Sequence, residues 1–382
     1  MQKIEINAVA GAAAVLGISA VFVDWFSLRA NRLVSGQGLG FFESLGTPLG
    51  AFLLLSWVVT LLIALNRRKW NNFAYPLLFF VVLSELVAGS GWAASRLLSG
   101  AVDLARVSLS GGFWLSAFAV YLLYFATTRK GQALRFIVMI AGPLAIVAFA
   151  ALGWLDSFSV IVEYQAQRAR FAAELGRHLA IFGVSLTAAV FIGIPVGIWI
   201  SRGSKAARPI LWLLGIFQTV PSLALFGLLL VTLAAIRNAL PSLGISAIGF
   251  LPAVIAITLY SLLPIVQNTY TGIRSVPNEV CDAGVGVGMS RLQLLFDVEL
   301  PLAAPNIISG LRIAAIQAVG GTTVAALIGA GGLGFFIFQG LGQAASDLIL
   351  LGALSVAILA LFVNAVFQFV EDRLRPTQAV DT

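Results

Sequence analysis

Ten apolar runs dominate this chain, each close to the roughly 17–25 residues a helix needs to cross about 30 Å of hydrocarbon. They fall at about 8–23, 48–65, 73–90, 112–128, 134–153, 178–200, 209–235, 245–268, 306–328 and 346–370. With 60% hydrophobic and 10% charged residues and a mean hydropathy of +1.00, the chain has too little polar surface to coat a soluble globule of 382 residues. The weak alternating pattern of a membrane β-barrel is absent. The expected fold is all-α, a polytopic integral membrane protein of about ten transmembrane helices. Lys3 before the first run resembles a secretion signal, but no clear small-residue cleavage site precedes Asp24-Trp25, so a retained anchor is expected.

Basic residues set the orientation. Lys3, Arg67, Arg68, Lys69, Arg129, Lys130, Arg135, Arg202, Lys205, Arg208, Arg274, Arg291, Arg373 and Arg375 fall on one side of the runs. Arg29, Arg32, Arg96, Arg106, Arg168, Arg170, Arg177 and Arg237 fall on the other, while Arg312 lies inside a run. The heavier side is read as cytoplasmic, with both termini there. The net charge of +7 is thereby topological, and no basic stripe with interleaved aromatics marks a nucleic-acid partner. Cys281 is the sole cysteine, so no internal disulfide exists.

Four segments are expected: a five-helix membrane extension over 1–153 joined by plain basic turns, an extracytoplasmic connector over 154–177, a membrane core over 178–370, and a cytosolic tail over 371–382. The core carries Pro195, the break at 218–222, Tyr260 to Pro264, and a long cytosolic loop over 269–305. Pro and Gly in a membrane helix free carbonyls that neighbours or a wet cavity must satisfy. Gln218, Thr219, Ser222 and Tyr260 are therefore candidates for a translocation path, or for closing a kinked backbone. Within the loop, Pro277 and Glu279 suit a helix start, Gly288 suits a positive-φ elbow, and Ser290 can cap a second helix over 291–299 that Pro301 ends.

Asp282-Ala283-Gly284, then Gly288, then Val298-Glu299-Leu300-Pro301, resembles the EAA-type loop of the membrane subunits of ABC importers. The resemblance implies a type I ABC importer permease core in which Asp282, Ala283, Gly284, Gly288, Leu300 and Pro301 form the loop that docks in an ATP-binding subunit. Asp282 replaces the family's Glu, and Gly284 its Ala; the glycine weakens the helix by about 1 kcal/mol, so docking is expected to supply part of the order. The strings at 193–202, 218–230, 259–277 and 325–341 resemble the osmoprotectant group, which imports glycine betaine and related quaternary amines. NRLVSGQG (31–38) and SGGFWLS (110–116) resemble its YehY-type branch. The implied partners are an ATP-binding subunit, an extracytoplasmic substrate-binding protein, a second copy of the chain and membrane lipid. A permease for an amino acid such as methionine, or an ion-coupled secondary transporter, remains the alternative.

Other features carry less. Gly329, Gly331 and Gly334 satisfy GxGxxG without a preceding strand, which favours close packing or a re-entrant turn. His178 reads as an interfacial polar group at the start of its helix, and no metal or cofactor is expected. The chain holds no GxxxxGK[ST], so ATP hydrolysis must reside elsewhere. Glu85 is an acidic residue deep in a run, and Arg312 is expected to snorkel to the cytosolic face.

Overall fold

The computed structural model describes residues 7–31, 34–66, 71–101, 104–127 and 132–374, without the side chains of 71, 72, 132–140 and 143. Lys3, Arg32, Arg67, Arg68, Lys69, Arg129, Lys130 and Arg375, used above for orientation, lie outside the described residues, as does the side chain of Arg135. The chain forms two compact units, one of residues 1–166 with 343–347, the other of 167–342 with 348–382.

The N-terminal unit runs α1 (Ala8–Ser19), β1 (Phe26–Arg29), β2 (Gln37–Leu39), α2 (Phe41–Leu45), α3 (Thr47–Leu65), α4 (Asn71–Ser84), α5 (Ser90–Leu98), β3 (Arg106–Leu109), α6 (Gly111–Thr127), α7 (Gln132–Ala151) and α8 (Ser159–Ala166). A π-helical turn, Glu85–Gly89, joins α4 to α5 without a break. The three strands form an antiparallel sheet in the order β2-β1-β3, with Phe26 opposite Leu39 and Leu109. The unit is thus not all-α, and two of the joins read as plain turns are paired strands. Segments of three and four residues are too short for their alternation to stand out from loop sequence. What fixes them is burial and polar closure. Phe26 packs edge-on against Phe158 at 5.9 Å. Ser108 and Ser159 donate to Asp347 at 2.8 and 2.9 Å, and Arg29 lies 3.6 Å from the same carboxylate.

The second unit holds α9 (Arg168–Ser201), α10 (Ala207–Thr219), α11 (Ser222–Ala239), α12 (Phe250–Arg274), α13 (Asn278–Gly286), α14 (Arg291–Gln293), α15 (Leu300–Ala325), α16 (Gly334–Gly342) and α17 (Ser346–Leu374) from Leu348 onward. Helix α12 is its axis, with more than half of its residues buried. Small residues on both neighbours let the backbones close up, the usual way helices associate where lipid removes the hydrophobic drive. A Cβ at Gly193 or Gly197 of α9 would stand 2.8 Å from Ile265 or 2.6 Å from Thr269. At Gly310 of α15 it would meet Asn268 Cβ at 2.6 Å and the Pro264 carbonyl at 2.7 Å.

Three expectations change. The run at 209–235 is two helices, because Val220 is extended (ψ 127°) ahead of Pro221, as the residue before proline prefers. Pro301 ends nothing: α14, a π-helical turn over Leu294–Glu299 and α15 make one rod, Arg291–Ile328. A wide turn just before Pro301 absorbs the ring and the missing N–H that would otherwise kink a helix. Arg312 does not stand alone but pairs with Glu371, in the last turn of α17, at 3.3 Å.

Seven helices of the described residues are long and apolar enough to span a bilayer: Thr47–Leu65, Phe73–Leu98, Arg168–Ser201, Ser222–Ala239, Phe250–Arg274, Arg291–Ile328 and Ser346–Leu374. Ala8–Phe22 and Gly111–Thr127 are apolar but shorter. Helix Arg168–Ser201 begins inside the stretch read as connector. If contact at α12 holds the second unit together, Gly310→Val should lower its melting temperature in detergent by the equivalent of about 1–3 kcal/mol of overpacking. Gly215→Ala, where an added Cβ meets nothing within 4 Å, should be neutral or slightly stabilising.

Candidate functional site

Two helix breaks face each other in the second unit and close each other's orphaned carbonyls. Pro264 has no N–H to return to the carbonyl of Tyr260, four residues back along α12. The Gln218 side-chain amide donates to that carbonyl at 2.6 Å instead. In return the Tyr260 hydroxyl donates to the carbonyl of Val220 at 2.5 Å, in the break between α10 and α11. Gln218 also lies 3.4 Å from Gln317 Oε1 on α15.

Around this exchange is a cavity of about 390 Å³, lined by Gln218, Val220, Ser222, Ile257, Tyr260, Gln317, Gly320, Gly321 and Val324. It brings together three of the four path candidates. Thr219 is not in the lining; its hydroxyl donates to Ile216 on its own helix at 2.8 Å. Gln317 was not foreseen, although a lone amide in an apolar run is the signal that could have found it. Tyr260 sits ten residues into α12, about 15 Å along the axis and so near the middle of a spanning helix.

The loop candidates form a folded elbow. Helix α13 ends at Gly286, Gly288 has φ +88°, and Ser290 caps α14 by accepting from the Gln293 N–H while the Gln293 side chain accepts from the Ser290 N–H. Asp282 and Ala283 are exposed, and Gly284 is buried. A Cβ at Gly284 would stand 2.7 Å from the Leu294 methyl, so the glycine lets the two arms touch and the loop carries order of its own. Leu300 and Pro301 lie past the turn, at the start of α15. Val285, Val287, Leu292 and Phe296 project from the elbow, each at least 60% exposed. Behind it Arg202, just past α9, grips the buried carboxylate of Glu299 with both terminal nitrogens. These hydrogen bonds raise the guanidinium above its ordinary pKa. Burial, then the charges of Glu299 and Asp282, push the Cys281 thiol up, so it is a neutral thiol at physiological pH.

The glycine-rich stretch is a tight turn between α15 and α16, with Gly329, Gly331 and Gly332 at φ of +76°, +79° and +90°. Buried side chains of α9 hold it: Glu174 accepts from the Gly332 N–H at 2.8 Å and His178 Nδ1 from the Leu333 N–H at 3.3 Å. His178 is fully buried rather than interfacial.

Residues 189–378 match the family described as binding-protein-dependent transport system inner membrane component, and residues 6–161 match the N-terminal domain of the ABC transporter permease YehY. Among curated relatives, the carnitine transport permease protein OpuCB of Listeria monocytogenes is 36% identical over 57% of this chain and 94% of its own length. The osmoprotectant import permease protein OsmW of Salmonella typhimurium is 37% identical over 53% and 91%. The choline transport system permease protein OpuBB of Bacillus subtilis is 38% identical over 52% and 86%. The chain belongs to the binding-protein-dependent family of inner-membrane ABC transporter permeases. It is a multi-pass transport subunit, not an enzyme, and the family implies ATP-binding and substrate-binding partners.

The Arg202–Glu299 pair invites a double-mutant cycle. Arg202→Met should destabilise more than Glu299→Gln, because it strands a buried charge. The double variant should recover part of the loss, with a coupling of about 1 kcal/mol because the Arg202 side chain is 44% exposed. Melting temperatures of the four proteins read this directly, and strict additivity would dissociate the pair from the elbow's stability.

Proposed function

We propose that this chain forms the translocation path of an ATP-driven importer for quaternary-amine osmoprotectants such as glycine betaine, choline or carnitine, working as a homodimer. The observation that carries the coupling mechanism is the elbow: Gly288 at positive φ between two helical arms, the second capped by Ser290, apolar side chains on its outer face, and an ion pair anchoring it from behind. The carnitine, osmoprotectant and choline permeases among the relatives support the substrate class. In this reading Asp282, Ala283, Gly284, Gly288, Leu300 and Pro301 belong to the part gripped by the ATP-binding subunit. Gln218, Ser222 and Tyr260, with Gln317, line the path, and Thr219 flanks it. Residues 178–370 are a type I permease core and 1–153 an added membrane extension.

Ten crossings put both termini in the cytoplasm, α10 and α11 together making one of them. When the ATP-binding partners close, the elbows move with them and the core alternates between inward and outward access, a rigid-body change that needs no chemistry from this chain. Most substrate selection falls to the binding protein, where aromatic faces can hold a quaternary ammonium.

A Val at position 288 must adopt a φ that costs about 1–2 kcal/mol, re-aiming the elbow without touching any span. Gly288→Val, and separately Asp282→Lys, should therefore reach the membrane at normal abundance, recover less ATP-binding subunit on purification, and lose uptake of labelled glycine betaine. Full recovery and uptake in both variants would remove the coupling assignment, and uptake of methionine in place of betaine would remove the substrate class. Cys281, the sole cysteine, reports orientation. A membrane-impermeant maleimide should modify it in inverted vesicles and not in intact spheroplasts, and the opposite result would reverse the topology.

A further inference from the structure

The N-terminal unit contains a larger cavity, about 730 Å³, between the start of α3, the π-helical turn with α5, and the segment after α7. Its chemistry is distinctive. Phe52, Trp92 and Trp154 line it and stay about half exposed, although Arg96 lies over one face of Trp92 at 5.5 Å and Phe149 stacks on one face of Trp154 at 5.6 Å. Ala88, Gly89 and Gly91 are the wall where the helix widens, and a Cβ added at Gly89 would still keep an ordinary 3.8 Å from Leu49. Glu85 opens that wide turn and lies in the same lining. Its Oε1 accepts from Ser56 at 3.2 Å, while its buried Oε2 meets no donor among the described residues.

A carboxylate in a membrane span is costly unless something pairs with it. Among the described residues no cationic side chain pairs with Glu85. Arg96, the one basic residue of the lining, is eleven positions further on, about 16 Å along the rod. Its guanidinium is already engaged, donating to the Ser44 carbonyl at 3.4 Å and lying 5.5 Å from the Trp92 ring centroid. A carboxylate oxygen without a donor, half-exposed aromatic rings and an apolar cavity lining together suit a compact charge of the opposite sign with a greasy surface. A π-helical turn placing the acid is the local distortion that tends to accompany function.

We propose that this cavity is a binding site for a small organic cation of the alkylammonium class, with Glu85 as counter-charge and Trp92 and Trp154 as cation–π partners, separate from the translocation path of the second unit. The site does not rest on the importer reading, because its residues all lie in the N-terminal unit and its test needs no ATP-binding partner.

The test uses the purified full chain in an uncharged maltoside detergent, since a phosphatidylcholine bilayer would supply its own quaternary ammonium. Choline is titrated by calorimetry against its neutral isostere 3,3-dimethylbutan-1-ol. Choline should bind the wild type, and the neutral isostere should bind at least about tenfold more weakly, as should choline to Glu85→Gln, which keeps the Ser56 acceptor. Gly89→Leu, which fills the cavity without altering charge, should also abolish binding, while Gln218→Ala in the other unit should leave it intact. Equal binding of the isostere would make the cavity a lipid pocket and overturn the proposal. Unchanged binding by Glu85→Gln, loss on Gln218→Ala alone, or no choline binding at all would each overturn it as well. Failure of uptake in the coupling variants has no bearing on any of these readings.

Discussion

The second unit depends on how closely two helices approach α12. Gly193 and Gly197 on one side and Gly310 on the other remove the side chains that would hold the backbones apart, and dispersion between bare helices replaces the hydrophobic drive that lipid cancels. That closeness has a cost in helix regularity, since Pro264 sits inside the packed segment and Pro221 interrupts its neighbour. The defects are placed so that each supplies what the other lacks: Gln218 donates to the carbonyl freed by Pro264, and Tyr260 donates to the carbonyl ahead of Pro221. An irregular backbone thereby survives at membrane depth beside a cavity, where lipid-exposed irregularity would not.

The same economy governs charge. Glu174 is buried near the start of α9, with Arg170 at 3.2 Å and Arg177 at 3.6 Å, and accepts from the Gly332 N–H. Arg312 meets Glu371 in the last turn of α17. Arg202 and Glu299 do the same at the rim. The last two pairs tie together elements far apart in sequence, as does the Glu174 contact with the Gly332 N–H, so these charges act as sequence-distant staples.

Much of this was legible from residues whose role is local. Apolar run length located the seven helices long enough to span, because a bilayer sets a minimum length for each of them. The elbow was legible because Gly288, Ser290 and Pro277 each dictate backbone geometry within a few positions of themselves. Tertiary pairing was not. The split of the 209–235 run depended on whether the bend before Pro221 would be absorbed or broken. The persistence of the helix through Pro301 depended on a π turn that no propensity announces. His178 looked interfacial because its partner, the N–H group of Leu333, lies more than 150 residues away. The sheet was missed because four-residue strands declare themselves only through partners, as β1 and β3 do across about 80 residues of intervening chain.

The continuity of the Arg291–Ile328 rod bears on how force would travel. Elbow and cavity wall are two points on one stiff strut, with Gln317 lying 26 residues from Arg291, about 39 Å away. A displacement imposed at the elbow end cannot be dissipated in a flexible joint, because no non-helical residue intervenes. It must reach Gln317 as a tilt, slide or roll of the whole strut, with the π turn beside Glu299 and the turn around Pro305 as its compliant elements. In the proposed importer, the Arg202 grip at that point would serve as a fulcrum, turning small motions at the membrane surface into leverage on the cavity.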